Sequence, residues 1–176
     1  TAAGLGITSK FDYVMIAPVA TSETALSYTE NDAELIVDDL ITNGDIDDTE
    51  YTSASVQITS GFDANKDVLG YTLTGSITGS YDGATGILSL SGSGTVAEYN
   101  SVLRSVTYSN TSDDPSDATR TLTFTVNDGT DTGSFTRDIT FTAVNDAPTL
   151  TSTATDPAFT EGDAAAALFT GTATSA

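Results

Sequence analysis

The stretch Thr125-Val126-Asn127-Asp128-Gly129 is followed downstream by a second acidic turn, Val144-Asn145-Asp146-Ala147-Pro148. Before the first turn, Leu122, Phe124 and Val126 alternate with threonine; before the second, Ile139, Phe141 and Ala143 do the same. Alternation with a period of two, large apolar against threonine, predicts antiparallel strands that bury one face and wet the other. Each turn therefore closes a strand, and the pair reads as the end of an all-β domain.

Working outward, both the ending and the restart are written twice. Phe11-Asp12-Tyr13-Val14-Met15-Ile16-Ala17-Pro18 resembles the second ending, and Tyr28-Thr29-Glu30-Asn31-Asp32-Ala33 matches Phe159-Thr160-Glu161-Gly162-Asp163-Ala164. The offset is 130 residues at the prolines and 131 at the glutamates. So long a period predicts domains in tandem. Residues 1–17 then end a preceding repeat, residues 18–148 form one complete domain, and residues 149–176 begin the next. The chain is expected to be a slice of a longer array.

Between these landmarks the same alphabet recurs. Ala33–Val37 is a short apolar strand, Ser55–Thr59 alternates, and Leu69, Tyr71 and Leu73 alternate after a turn-rich stretch. Gly79-Ser80-Tyr81-Asp82-Gly83 reads as a hairpin turn, with Ile87–Leu90 pairing back onto the strand before it. One segment departs from the β pattern. Val96, Tyr99 and Leu103 share a helical face behind Thr95 as N-cap, which predicts a short helix crossing between sheets. Strands resume at Val106–Tyr108. Seven or more short strands separated by turns predict a β-sandwich.

Composition narrows the chemistry. The 176 residues contain 25 carboxylates against five basic side chains (Lys10, Lys66, Arg104, Arg120 and Arg137), a formal charge of −20. Nucleic acid is excluded as a partner, since its phosphates require a basic face. The chain has no Cys, His or Trp, so disulfides, thiolate or imidazole metal sites and nucleophile–histidine pairs are all excluded. No apolar run is long enough to insert into a membrane. The acidic excess reads either as solubility in a salty or acidic exterior, or as clusters neutralised by divalent cations that take oxygen ligands. No catalytic constellation is present, and the chain is not expected to be an enzyme.

The ordered series Tyr28-Thr29-Glu30-Asn31, Asp45-Ile46-Asp47, Val126-Asn127-Asp128-Gly129 and Val144-Asn145-Asp146-Ala147-Pro148 resembles the bacterial cadherin-like repeats of large surface adhesins and RTX-type exoproteins. Ser105–Asp113 is similar to the same branch. The resemblance implies a Greek-key (cadherin/immunoglobulin-like) sandwich whose junctions bind calcium. It assigns Glu30 to the family's early glutamate, Asp45 and Asp47 to its Asp-x-Asp pair, and Asp128 to its aspartate before glycine. Asn145 and Asp146 take the place of its acidic linker. Asp45, Asp47 and Asp128 would serve the N-terminal junction, and Glu30 and Asp146 the C-terminal one. The upstream linker, Met15-Ile16-Ala17-Pro18, lacks the Asn-Asp pair. Asp-Gly and Asn-Asp are also common turn formers, so Asp45–Asp48 reads as a solvated loop as well as a cation site.

Calcium is thus the expected cofactor, and neighbouring repeats of the same chain are the expected partners. The expected role is that of a stiff extracellular or cell-surface spacer. The alternative is a self-assembling filament or sheet subunit, a homopolymer joined by strand addition. It supposes that Phe11–Ile16 and Ala158–Thr170 lack partners inside the chain.

Overall fold

Leu122, Phe124 and Val126 are completely buried, and the threonines between them are half-buried, as the alternation requires. In the computed structural model, residues 14–17, 26–45, 48–155, 157–158, 160–165 and 167–174 are described. The chain divides into two compact units, Thr1–Ala143 and Val144–Ala176.

The first unit contains β1 (Val14–Ala17), β2 (Leu26–Thr29), β3 (Leu35–Ile36), β4 (Thr42–Asp45), β5 (Glu50–Ser60), β6 (Asp67–Gly70), β7 (Thr78–Asp82) and β8 (Ile87–Thr95). The helix α1 (Val96–Arg104) follows, then β9 (Thr107–Asn110), β10 (Arg120–Asn127) and β11 (Thr132–Thr142). A six-stranded sheet in the order β2-β11-β10-β5-β8-β7 is accompanied by a three-stranded sheet, β3-β9-β6, and by the pair β1-β4. All pairings are antiparallel except β2 with β11. The chain passes repeatedly from one sheet to the other, giving the interleaved connectivity of a β-sandwich.

One row of side chains shows how the register builds the core. Phe124 stands opposite Phe135 on one neighbour and Val56 on the other, and Val56 stands opposite Leu88. The Phe124 and Phe135 rings stack at 4.8 Å. Burying such side chains stabilises the fold by about 1.5–3 kcal/mol each.

The helix forms where expected. The Thr95 hydroxyl accepts from Glu98 N–H at 3.2 Å, and the Glu98 carboxylate accepts from Thr95 N–H at 2.8 Å, a reciprocal cap. Tyr99, Val102 and Leu103 face the core. The helix carries the chain from β8 in the larger sheet to β9 in the smaller.

Three expectations are corrected. The alternation Leu69–Tyr71–Leu73 is not one strand: β6 stops at Gly70, and Leu73 is exposed. There the chain leaves the ladder, because Thr72 N–H donates to the Ser105 hydroxyl at 2.9 Å. Gly79–Asp82 belongs to β7, and the turn lies just beyond it. The Asp82 carboxylate accepts from Ala84 N–H at 2.9 Å and from the Thr85 hydroxyl at 2.8 Å. The terminal segments find partners in part, residues 11–13 lying outside the described residues. Val14–Ala17 pairs with Thr42–Asp45, which covers an otherwise open strand edge. Phe169 and Thr170 pair within the second unit, where β12 (Thr149–Ala154) and β13 (Phe169–Thr174) form an antiparallel ladder.

A buried polar knot ties the two sheets together. Asp67, on β6, accepts from the Tyr108 hydroxyl at 2.5 Å, from the Asn110 amide at 2.6 Å and from Asp63 N–H at 2.7 Å. Across the core, the Arg120 guanidinium on β10 donates to the carbonyls of Ser116 and Ala118 and lies 4.2 Å from the centroid of the Phe141 ring.

Candidate metal centre

β4 is a short strand that carries Asp45 at its end, and it is fastened to the helix. The Asn100 amide accepts from Asn43 N–H at 3.1 Å and donates to the Asn43 carbonyl at 3.2 Å. Arg104 Nε donates to the Ile41 carbonyl at 2.6 Å. Asp48 is then turned back toward the strand end, its N–H donating to Asp45 Oδ1 at 3.2 Å.

Asp128 arrives from the other side, in the turn between β10 and β11. Its Oδ1 accepts from Thr130 N–H at 2.6 Å and Asp131 N–H at 2.8 Å, which fixes the carboxylate. Thr52, on β5, holds the preceding residue through bonds from its hydroxyl to the Asn127 backbone and side-chain oxygens. The result is that one oxygen from each of Asp45, Asp48 and Asp128 lies within 4.8 Å of the others, all three residues being half-buried.

Three carboxylates this close repel one another by on the order of 1–4 kcal/mol per pair, between the water and protein limits. No lysine or arginine forms an ion pair with Asp48 or Asp128 among the described residues. Asp128 Oδ2 is buried with no hydrogen-bond partner among them. Tyr51 lies wholly buried, and its hydroxyl also lacks a hydrogen-bond partner among the described residues. Burial first, then the fields of Asp45 and Asp128, push the Tyr51 phenol from 10.0 up to about 12. A cation held by Asp45, Asp48 and Asp128 would offset this repulsion. All the donors are hard oxygens, so the set fits calcium or magnesium rather than a softer metal. A cleft of about 440 Å³ adjoins the cluster, lined by Asp45 and Asp48 together with Gly44, Thr49, Thr95, Val96 and Ala97.

Of the residues picked out in the sequence, Asp45 and Asp128 come together here. Asp47 lies outside the described residues. Asp48, which sequence reading left as a loop residue, completes the cluster. Its signal was the three-residue spacing from Asp45, which lets a backbone N–H reach back to a carboxylate. Glu30 belongs to the opposite end of the six-stranded sheet. Its N–H donates to the Thr142 carbonyl, whereas Asp128 adjoins the Thr132 end of the same strand. At about 3.4 Å per residue, the 11 residues of β11 separate these ends by roughly 35 Å. Asn145 is exposed and Asp146 half-buried, both in the second unit. Asp113 and Asp114 are exposed, away from the cluster.

Over 111 residues the chain is 38% identical to halomucin of Haloquadratum walsbyi, a match covering 60% of this chain and 1% of halomucin. The match thus spans only about 1% of the length of that relative. No known family profile matches the chain, and no solved structure matches it. Among the described residues, no helix is long and apolar enough to cross a membrane.

Proposed function

We propose that this chain is a calcium-binding structural repeat of an extracellular or cell-surface adhesin or matrix protein, acting as a stiff spacer between neighbouring repeats. The single observation that carries the reading is the convergence of Asp45, Asp48 and Asp128 at one end of the sandwich. Calcium takes six to eight oxygens, more than three carboxylates usually supply, so an ion at a domain end recruits further oxygens from whatever adjoins it. Such an ion becomes a splint between repeats. Glu30, Asn145 and Asp146 are assigned by the same reading to the junction at the other end, and Asp47 to the N-terminal site beside Asp48.

Three features support an array outside the cell. The segment it resembles occupies a very small part of a very long chain. The acidic excess keeps such arrays soluble and apart. The opening turn of the domain is repeated at a fixed offset. Of the segments that the homopolymer alternative calls on, Val14–Ala17 and Phe169–Thr174 are paired within the chain, which favours the spacer.

Calorimetric titration of chelator-stripped protein with calcium tests the reading. Binding is expected in the parent chain and is expected to be lost in Asp48→Asn and Asp128→Asn. Equal binding by all three proteins would remove the ion from this cluster.

A further inference from the structure

The strand that borders the candidate metal centre carries a tyrosine between the two sides of the cluster. Tyr51 is the second residue of β5 and follows Asp45 by six positions. The pairing of β5 with β10 runs as far as Ser53 beside Asn127. Tyr51, two residues further along, therefore lies level with the turn that holds Asp128. Contacts at the turn agree with this placement. The Thr52 hydroxyl donates to Asn127, and Gly129 lies so near that a Cβ there would meet the Thr52 methyl at 3.4 Å. Tyr99 sets the ring from the core, with centroids 5.9 Å apart and an interplanar angle of 67°.

The phenol placed in this way is completely buried, and the charges of Asp45 and Asp128 act on it. Among the described residues, its hydroxyl has no hydrogen-bond partner, and neither has the buried Asp128 Oδ2. A buried hydroxyl is seldom left in that condition, because the free energy lost with its water is recovered only through a new bond or ligand. Packing alone would be served by phenylalanine, which fills nearly the same space and has no polar atom to desolvate. At Tyr51 a neutral oxygen is instead held in the core beside carboxylates that repel one another.

We propose that Tyr51 is part of the cation centre, its hydroxyl oxygen serving the ion held by Asp45, Asp48 and Asp128 as a neutral ligand from the inner side. Calcium takes six to eight oxygens, and a neutral one adds coordination without adding to the repulsion among the carboxylates. Because the ring is locked in the core, the ion is tied to the body of this domain as well as to whatever adjoins the domain end. This inference rests on the cation site of the proposed function and adds to it a ligand from the core.

The test compares the parent chain with Tyr51→Phe. Tyr28→Phe, at the opposite end of the six-stranded sheet, is the reference. Calcium affinity is read by calorimetry, stability in chelator by urea unfolding, and proximity to the ion by terbium luminescence under tyrosine excitation. Terbium takes hard oxygen ligands as calcium does, and with no Trp in the chain its emission is sensitised by nearby tyrosines. Tyr51→Phe is expected to weaken calcium binding about tenfold or more. It is also expected to lose most of the sensitised emission at saturating terbium, whereas Tyr28→Phe keeps both. In chelator, Tyr51→Phe is expected to be at least as stable as the parent, since it removes a buried hydroxyl without a partner.

Unchanged calcium affinity or undiminished emission in Tyr51→Phe would overturn the inference, as would losses of the same size in Tyr28→Phe. A loss of stability in chelator equal to that in calcium would also overturn it, by giving the hydroxyl a purely structural role. Calcium binding that is lost in Asp128→Asn but kept in Tyr51→Phe would overturn this inference and leave the cation site standing. A parent chain that binds no calcium would overturn both.

Discussion

Arg120 Nε stands 3.6 Å from Asp67 Oδ2, and both side chains are completely buried between the two sheets. Of the five basic residues in the chain, this one is spent inside the core. A buried pair gains little over an apolar one, but removing one partner strands the other charge and costs about 3–5 kcal/mol. Arg120→Met and Asp67→Asn are each expected to lower stability by that amount in urea unfolding at neutral pH. The double variant is expected to lose less than the sum, since each single change strands the same partnership.

The reciprocal cap on the helix makes a second prediction. Thr95→Ala removes the acceptor for Glu98 N–H and is expected to cost about 1 kcal/mol. The hydrogen bonds from Thr95, backbone N–H first and hydroxyl second, hold the Glu98 carboxyl below its ordinary value of 4.5. A group lowered on folding contributes stability above its unfolded value and loses it as the pH falls through its folded value. The stability difference between the parent chain and Glu98→Gln is therefore expected in full above pH 4.5 and should fade as the pH drops from there through the lower folded value. Urea midpoints across that range measure it.

Alkaline pH probes the buried tyrosines. Burial, followed by nearby carboxylates, pushes Tyr51 and Tyr81 from the ordinary 10.0 to about 12. Tyr108 is raised further by burial and by the hydrogen bond it donates to Asp67. A group raised on folding contributes stability below its unfolded value and loses it as the pH rises toward its folded one. Stability is thus expected to fall from pH 10 to 12, with these phenols ionising as the fold opens. Phenolate absorbance and circular dichroism followed together should change in one step. Ionisation at the ordinary value without unfolding would contradict their burial.

The duplicated turn gives a fourth prediction. Asn31 holds φ at 66°, a region that Asn tolerates and β-branched residues resist. Asn31→Gly, the residue at the matching position of the second turn, is expected to change stability by only a few tenths of a kcal/mol. Asn31→Val is expected to cost about 1–3 kcal/mol. Thermal melts of both variants measure the contrast.

The parts of the fold that were legible in the sequence are those governed by local periodicity. Leu122, Phe124 and Val126 announce a half-buried strand because only a period of two places all three on one face, and Thr95 announces the helix start for an equally local reason. Leu69, Tyr71 and Leu73 carry the same period yet do not make one strand, since the Ser105 hydroxyl, distant in sequence, captures Thr72 N–H. The Arg120–Asp67 pair was invisible for the same reason: nothing near either residue reveals that β10 and β6 face each other. At the candidate metal centre, Asp45 and Asp128 were legible from their motifs. Asp48 was not, because its place depends on how the loop turns back onto Asp45.

The cation site is tested most directly by thermal melts of the chain in chelator and then in millimolar calcium or magnesium. An ion that binds only the folded state, at 100 times its dissociation constant, adds about 2.7 kcal/mol. For a domain of this size that corresponds to a Tm rise of roughly 5–11 °C. Such a rise is expected in calcium and is expected to disappear in Asp128→Asn. A Tm that is the same in chelator and in calcium would contradict a cation site at Asp45, Asp48 and Asp128.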